Sequence, residues 1–367
     1  MKTRVAIVEA DRYEIEYLME RIEEIIANSD FPEVRDKIVF LKPNVLSDAN
    51  PEKAITTNPV FVEALVKVIQ KREPKDILMG DSPGLHTPTF HAKNAGLWDV
   101  CERNGVTWVD FTKETRVHKL TRRISAPMTT AIDKADVIIS LAKMKTHQLM
   151  FFTGCVKNMF GLLPGLNKSP MHVKAPSREA FARIIVSIFK ESKTTYAFMD
   201  GVIGMEGPGP ANGFPRRFNL LFGSKDAFAI DYAASSIMGY DPDGIPIWKE
   251  GSRQNLTDKS SYEYPVLKPE DVKVKDVKLV EQKKSNLFVD LIWPILTRPF
   301  RMKMVQKRPA PQFLDNCIRC QRCINICPAS ALKLVDNKVT IDKSLCIRCY
   351  CCHEMCPVDA IKIDRQG

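Results

Sequence analysis

One cysteine pattern occurs twice near the C-terminal end of the chain and limits what that region can become. Cys317-Ile318-Arg319-Cys320-Gln321-Arg322-Cys323-Ile324-Asn325-Ile326-Cys327-Pro328 is followed 29 residues later by Cys346-Ile347-Arg348-Cys349-Tyr350-Cys351-Cys352-His353-Glu354-Met355-Cys356-Pro357. Both copies fit C-x2-C-x2-C-x3-C-P. Nine of the 11 cysteines lie between 317 and 356. Disulfide frameworks belong to short secreted chains, and here Glu9 and Asp11 interrupt the N-terminus before a signal-length apolar stretch forms, which points to the cytoplasm. The thiolates are therefore expected to bind metal. Three closely spaced cysteines on one loop can occupy three corners of a metal–sulphur cubane, with the fourth ligand supplied from farther along the chain. Zinc is the alternative, and eight ligands in this order suit it poorly. About 55 residues cannot build a large core, so bound metal has to supply much of the folding energy. Cys351 falls outside the register and is expected to be a packed thiol.

The region resembles bacterial-type two-cluster ferredoxins. That resemblance implies two [4Fe-4S] clusters in which the cysteine before each proline ligates the other cluster. Cluster one would take Cys317, Cys320, Cys323 and Cys356; cluster two would take Cys346, Cys349, Cys352 and Cys327. It further implies low-potential electron transfer and an electron donor or acceptor protein as partner. The expected unit is a small α+β ferredoxin-like domain over 311–367. Leu334 to Val339 reads as a tight hairpin turning at Asp336-Asn337, and Ala331-Leu332-Lys333 matches Ala360-Ile361-Lys362 in the second half.

Residues 1–284 read differently, as an α/β domain with a mostly parallel sheet covered by helices. Val5 to Val8, Ile38 to Leu41, Ile77 to Met79, Thr107 to Val109, Val137 to Leu141, Tyr196 to Met199 and Phe218 to Phe222 are the expected strands. Tyr13 to Ala27, Val60 to Gln70, Arg178 to Lys190 and Ala227 to Met238 carry helical spacing, with Asn58-Pro59 as a helix start. A basic, amphipathic linker over 285–310 follows. Leu287, Phe288, Leu291, Ile292, Ile295 and Leu296 form its apolar face, and Arg298, Arg301, Lys303, Lys307 and Arg308 come after. A connecting helix is the favoured reading, and an interfacial membrane helix the other. The formal net charge of +10 would suggest an anionic partner, but two clusters with their thiolates bring it to roughly +6, so nucleic acid is not expected.

The large domain resembles the family known as domain of unknown function 362. The matching stretches are Lys42-Pro43-Asn44, Gly80-Asp81-Ser82-Pro83-Gly84, Lys143-Met144-Lys145-Thr146-His147, Gly154-Cys155-Val156-Lys157-Asn158 and Asp200-Gly201. The family carries no activity to transfer, so chemistry rests on the residues. Several stretches follow expected strands, and ligands of open α/β sheets bind at the carboxyl ends of strands. Lys42, Asn44, Lys143, Lys145, Lys157 and Asn158 are thus candidates for binding a small anionic substrate, with His147, Asp81 and Asp200 as catalytic proton carriers. Against this, lysines after strands are commonly solvated, and Asp-Ser-Pro-Gly and Asp-Gly are ordinary turns. Cys155 is expected to be a buried structural thiol, His172 is ambiguous, and the glycines from 201 to 213 suit either a lid or a surface turn. An iron–sulphur oxidoreductase is the first expectation. A non-catalytic electron carrier or docking module serving a redox partner is the alternative.

Overall fold

The computed structural model describes residues 2–47, 50–84, 88–175, 177–282 and 308–363. Most of the linker, including its apolar face, lies outside them. The large domain is built on an eight-stranded sheet. Its strands are β1 (Ala6–Glu9), β2 (Ile38–Pro43), β3 (Asp76–Met79), β4 (Thr107–Trp108), β5 (Val137–His147), β6 (Phe151–Thr153), β7 (Tyr196–Glu206) and β8 (Phe214–Ser224). The order is β1-β8-β7-β5-β2-β3-β4, with β6 added to the far end of β5. Neighbours from β7 to β4 are parallel, whereas β8 runs antiparallel to both β7 and β1. The mostly parallel α/β domain expected from the apolar runs is present.

Alternation along the strands divides the core into two layers. Ile139 and Leu141 of β5 face one way, together with Leu18, Ile22 and Ile25 of helix α1 (Ile15–Ala27) and Phe61, Leu65 and Val68 of α2 (Pro59–Gln70). Ile138, Ala142 and Met144 face the other way, toward α3 (Cys155–Asn158), α4 (Arg178–Ser192) and α5 (Ala227–Met238). Burying both faces of the central strands explains their continuous Val/Ile/Leu runs. The chain from Val272 to Val280 packs its valines and Leu279 against the second layer, so it belongs to the large domain.

The small module has two two-stranded sheets. In one, β9 (Gln312–Phe313) pairs with β12 (Ile361–Lys362); in the other, β10 (Leu332–Val335) pairs with β11 (Lys338–Ile341). Asp336 and Asn337 both have positive φ, 45° and 61°, as a two-residue primed turn requires. Short helices α6 (Arg322–Ile326) and α7 (Cys351–Glu354) follow the cysteine loops in matching positions.

Candidate functional site

Two apolar hollows lie in the small module. One is lined by Cys317, Cys320, Cys323 and Cys356 with Phe313 and Val339. The other is lined by Cys327, Cys346, Cys349 and Cys352 with Leu332 and Ile341. The cysteine before each proline thus joins the hollow of the opposite repeat. Its sulphur receives a backbone hydrogen bond in both copies, from Ala331 N to Cys327 Sγ at 3.3 Å and from Ala360 N to Cys356 Sγ at 3.2 Å. Among the described residues no three His, Cys, Asp or Glu side chains converge on a single-ion site. Four cysteine side chains line each hollow, the number a [4Fe-4S] cluster takes. Cys351 is buried and hydrogen-bonds Cys349.

Lys42, Lys143 and Lys145 lie within strands, because β2 and β5 run past their apolar segments. Lys42 Nζ sits 2.7 Å from Asp81 Oδ1, with side-chain exposures of 0% and 4%. It also donates to Asn158 Oδ1 at 3.1 Å, and Asn158 Nδ2 returns a bond to Lys42 O at 2.9 Å. Lys143 Nζ is 2.7 Å from Asp200 Oδ2, and Tyr13 OH closes the set by accepting from Lys143 and donating to Asp200 Oδ1 at 2.8 Å. Lys42 and Lys143 are therefore committed to internal ion pairs, and the open cationic pocket expected from the sequence is narrower. Tyr13 was not among the expected residues. A single tyrosine just ahead of α1 has no local signal that marks it.

Lys145 is different. Its Nζ donates to two neutral oxygens, Asn44 Oδ1 at 2.7 Å and Ile55 O at 2.6 Å. Burial, with the charges of Lys157 and Lys143 added, pushes its pKa well below the usual lysine range. Lys157, on α3, is half-buried and has no hydrogen bond or ion pair among the described residues. Burial lowers its pKa too, against the pull of Glu354 and Cys351. Thr153 stands directly across from Lys145 in the β5–β6 pairing, so their side chains share a face. Its hydroxyl is buried without a hydrogen-bond partner among the described residues.

The small module closes this group. His147 Nδ1 accepts from Leu149 N at 3.0 Å and Met150 N at 3.3 Å, which leaves the proton on Nε2. That nitrogen lies 3.4 Å from Glu354 Oε1, in ion-pair range but outside hydrogen-bonding geometry. Burial lowers the His147 pKa well below its usual value and raises that of Glu354, so each neutral form is favoured. Phe151, opposite His147, has φ +69°, a strained value that holds the tight β5–β6 connection. The glycine-rich loop is the dock for the module. Asn212 Nδ2 donates to His353 O at 2.9 Å, and His353 Nε2 donates to Pro208 O at 3.1 Å. Of the remaining candidates, Cys155 is buried with its pKa raised by burial. His172 stacks on Phe181 at 4.1 Å, its pKa pushed down to about 3 by burial.

Comparison with known proteins gives a family match and one curated relative. The model of a family described as domain of unknown function (DUF362) matches residues 39–236, and that of a 4Fe-4S dicluster domain matches 316–360. A thylakoid-associated protein of Synechocystis sp. is 32% identical over 251 residues, which span 66% of this chain and 76% of that protein. Two solved structures share weaker likeness. The lactate racemase apoprotein from Thermoanaerobacterium thermosaccharolyticum has TM-score 0.42 at 11% identity, covering 65% of this chain and 57% of that one. A Thermotoga maritima protein has TM-score 0.38 at 14% identity, covering 61% and 58%.

Proposed function

We propose a function from this premise: the chain belongs to the domain of unknown function (DUF362) family and carries a 4Fe-4S cluster-binding module at its C-terminal end. The module holds two [4Fe-4S] clusters, one on Cys317, Cys320, Cys323 and Cys356, the other on Cys346, Cys349, Cys352 and Cys327. The protein is an iron–sulphur oxidoreductase that reduces a small anionic substrate bound where the module meets the large domain. When bound, such clusters supply single electrons at low potential. The chain's own residues supply the rest. Lys157 offers an unpaired cation for a carboxylate or phosphate, Asn44 and Thr153 offer hydrogen bonds, and Lys145 can give or take a proton. His147 presents Nε2–H, and Glu354, whose pKa burial raises, faces it with a carboxyl that can exchange a second proton.

The observation that carries this reading is the place of Glu354. It stands on α7, the helix that also bears Cys352, and reaches to 3.4 Å from His147 on the sheet. One short helix therefore carries both a proposed cluster ligand and the carboxyl that faces His147 of the large domain. Electrons and protons have a common destination.

The test is anaerobic. Reconstituted protein is expected to hold about eight iron atoms per chain, and carboxylate or phosphate metabolites are screened for reoxidation of the reduced protein. Lys157→Ala is expected to weaken that reoxidation about tenfold or more at unchanged iron content. If no metabolite accelerates reoxidation, the carrier alternative replaces the enzyme. That alternative draws on the internal pairing of Lys42 and Lys143, which removes two cations from any substrate site. No helix among the described residues is long and apolar enough to cross a membrane. The thylakoid association of the Synechocystis relative makes a membrane-proximal fraction worth assaying beside the cytoplasmic one.

A further inference from the structure

Three buried lysines stand in the neighbouring strands β2 and β5 with different partners. Lys42 faces Asp81 and Lys143 faces Asp200, carboxylates that favour their ammonium forms. Lys145 pairs with no carboxylate among the described residues, and both of its acceptors, Asn44 Oδ1 and Ile55 O, are neutral. The Asn44 amide is fixed from behind. Its Nδ2 donates to Asn158 Oδ1 at 3.3 Å, and that oxygen also accepts from Lys42, so the Asn44 oxygen is the end presented to Lys145. A neutral amine has two N–H groups and one lone pair. Two acceptors occupy both N–H groups and leave the lone pair free, the form in which a lysine attacks carbon. Burial, then the charges of Lys157 and Lys143, favour the same neutral form, against the pull of Glu354 and Asp81.

Two further groups stand beside that lone pair. Thr153, across the strand pair from Lys145, is 4% exposed, and its hydroxyl has no partner among the described residues. A buried hydroxyl left unbonded is costly unless a ligand completes it. Lys157, the strongest charge acting on Lys145, is only half-buried, so an anion reaches it from solvent. We propose that Lys145 is a covalent nucleophile, which forms an imine with the keto carbon of a small 2-oxo acid whose carboxylate rests on Lys157. The Nζ lone pair makes the new bond to carbon as the carbonyl π pair moves onto oxygen, where the Thr153 hydroxyl donates. The oxygen departs as water with the two hydrogens that the amine gives up, and C=N replaces C=O. No electrons are gained or lost, and hydrolysis reverses each step. A 2-oxo acid carries its carbonyl and its carboxylate on adjacent carbons, which matches a nucleophile with a cation for neighbour. The proposal deepens the substrate reading given above and rests on its anion site, not on the clusters.

The cluster-loaded full chain is incubated anaerobically with pyruvate as probe, treated with borohydride to fix the imine as a stable amine, and digested for peptide mapping. Lys145 is expected to take the label about tenfold faster than any other lysine, because solvated lysines are protonated. Lys157→Ala is expected to slow labelling by pyruvate about tenfold more than labelling by hydroxyacetone, a ketone without the carboxylate. Thr153→Val is expected to slow both about tenfold. Mapping the label in the wild type needs no variant, so the main result stands even where a substitution misfolds. Label spread over other lysines, with Lys145 no faster than the rest, overturns the proposal. Labelling by pyruvate that is indifferent to Lys157→Ala overturns it as well. Reoxidation of the clusters by an anion with no label on Lys145 keeps the oxidoreductase reading and removes this one, and label on Lys145 without such reoxidation does the reverse.

Discussion

Gly161 is fixed by a carboxylate. A Cβ there would lie 2.2 Å from Asp81 Oδ1 and 2.6 Å from Lys42 Nζ, so any side chain pushes the buried pair apart. Breaking a buried ion pair costs about 3–5 kcal/mol, and Gly161→Ala is expected to lower unfolding stability by about 3 kcal/mol in a denaturant titration. An unchanged midpoint would show that the pair has room to move. Gly154 has the same relation to Asp231, whose Oδ1 would lie 2.0 Å from an added Cβ. Asp231 accepts from Cys155 N at 2.6 Å and Val156 N at 3.2 Å, and burial raises its pKa to about 7. The fold therefore favours its protonated form. That contribution is complete below the ordinary value of 3.8 and is lost as pH rises through about 7. Relative to Asp231→Asn, the wild type is expected to lose about 2 kcal/mol of stability between pH 5 and pH 7. Parallel stability curves for the two proteins would contradict it. Residue types were legible in the sequence here: Lys42, Asp81 and Gly154 all stand out beside strands. That Lys42 and Asp81 neutralise each other was not, because the pairing is made by neighbouring strands and leaves no local pattern.

Helices were more legible than strand ends. The expected spans Val60 to Gln70 and Ala227 to Met238 agree with α2 and α5 to within a residue, since amphipathic spacing and caps are local properties. Asn58 accepts from Val60 N at 2.9 Å through its side chain, while its own N–H donates to Asp200 Oδ2 at 3.1 Å. Asn58→Ala is expected to cost about 1 kcal/mol, the usual worth of such a cap, by urea unfolding. No loss at all would show that α2 is held by its packing alone. Strand β5 was expected to stop at Leu141, where the apolar run ends, yet it continues to His147. Lysine normally ends a buried strand. Here Asp200, Asn44 and the Ile55 carbonyl receive the two lysines, and those partners come from β7 and from the loops after β2. The edges of an apolar run thus mark where burial needs a partner, which is a tertiary property.

At the scale of the whole molecule, the cysteine repeat made the small module legible as far as its hairpin and turn, but not its short helices, which precede the prolines. Its docking was not, because the contacts join the glycine-rich loop to a helix more than a hundred residues away. Asn212→Leu removes the hydrogen bond to His353 O and places an apolar group against that ring. It is expected to loosen the module, seen as faster protease cleavage near residue 310 with iron content unchanged. Cleavage at the wild-type rate would mean that Glu354 and Tyr350 hold the dock without it. Tyr350 has the larger part, since it is counted within the core of the large domain and donates its hydroxyl to Pro309 O at 3.1 Å. Its position in the chain, between Cys349 and Cys352, means that one loop must both wrap metal and finish a distant hydrophobic layer. Synthesis completes that layer last. Until iron and sulphide arrive the loop that carries Tyr350 has nothing to wrap, so iron-free protein is expected to unfold at lower temperature than cluster-loaded protein in its large domain as well as in the module.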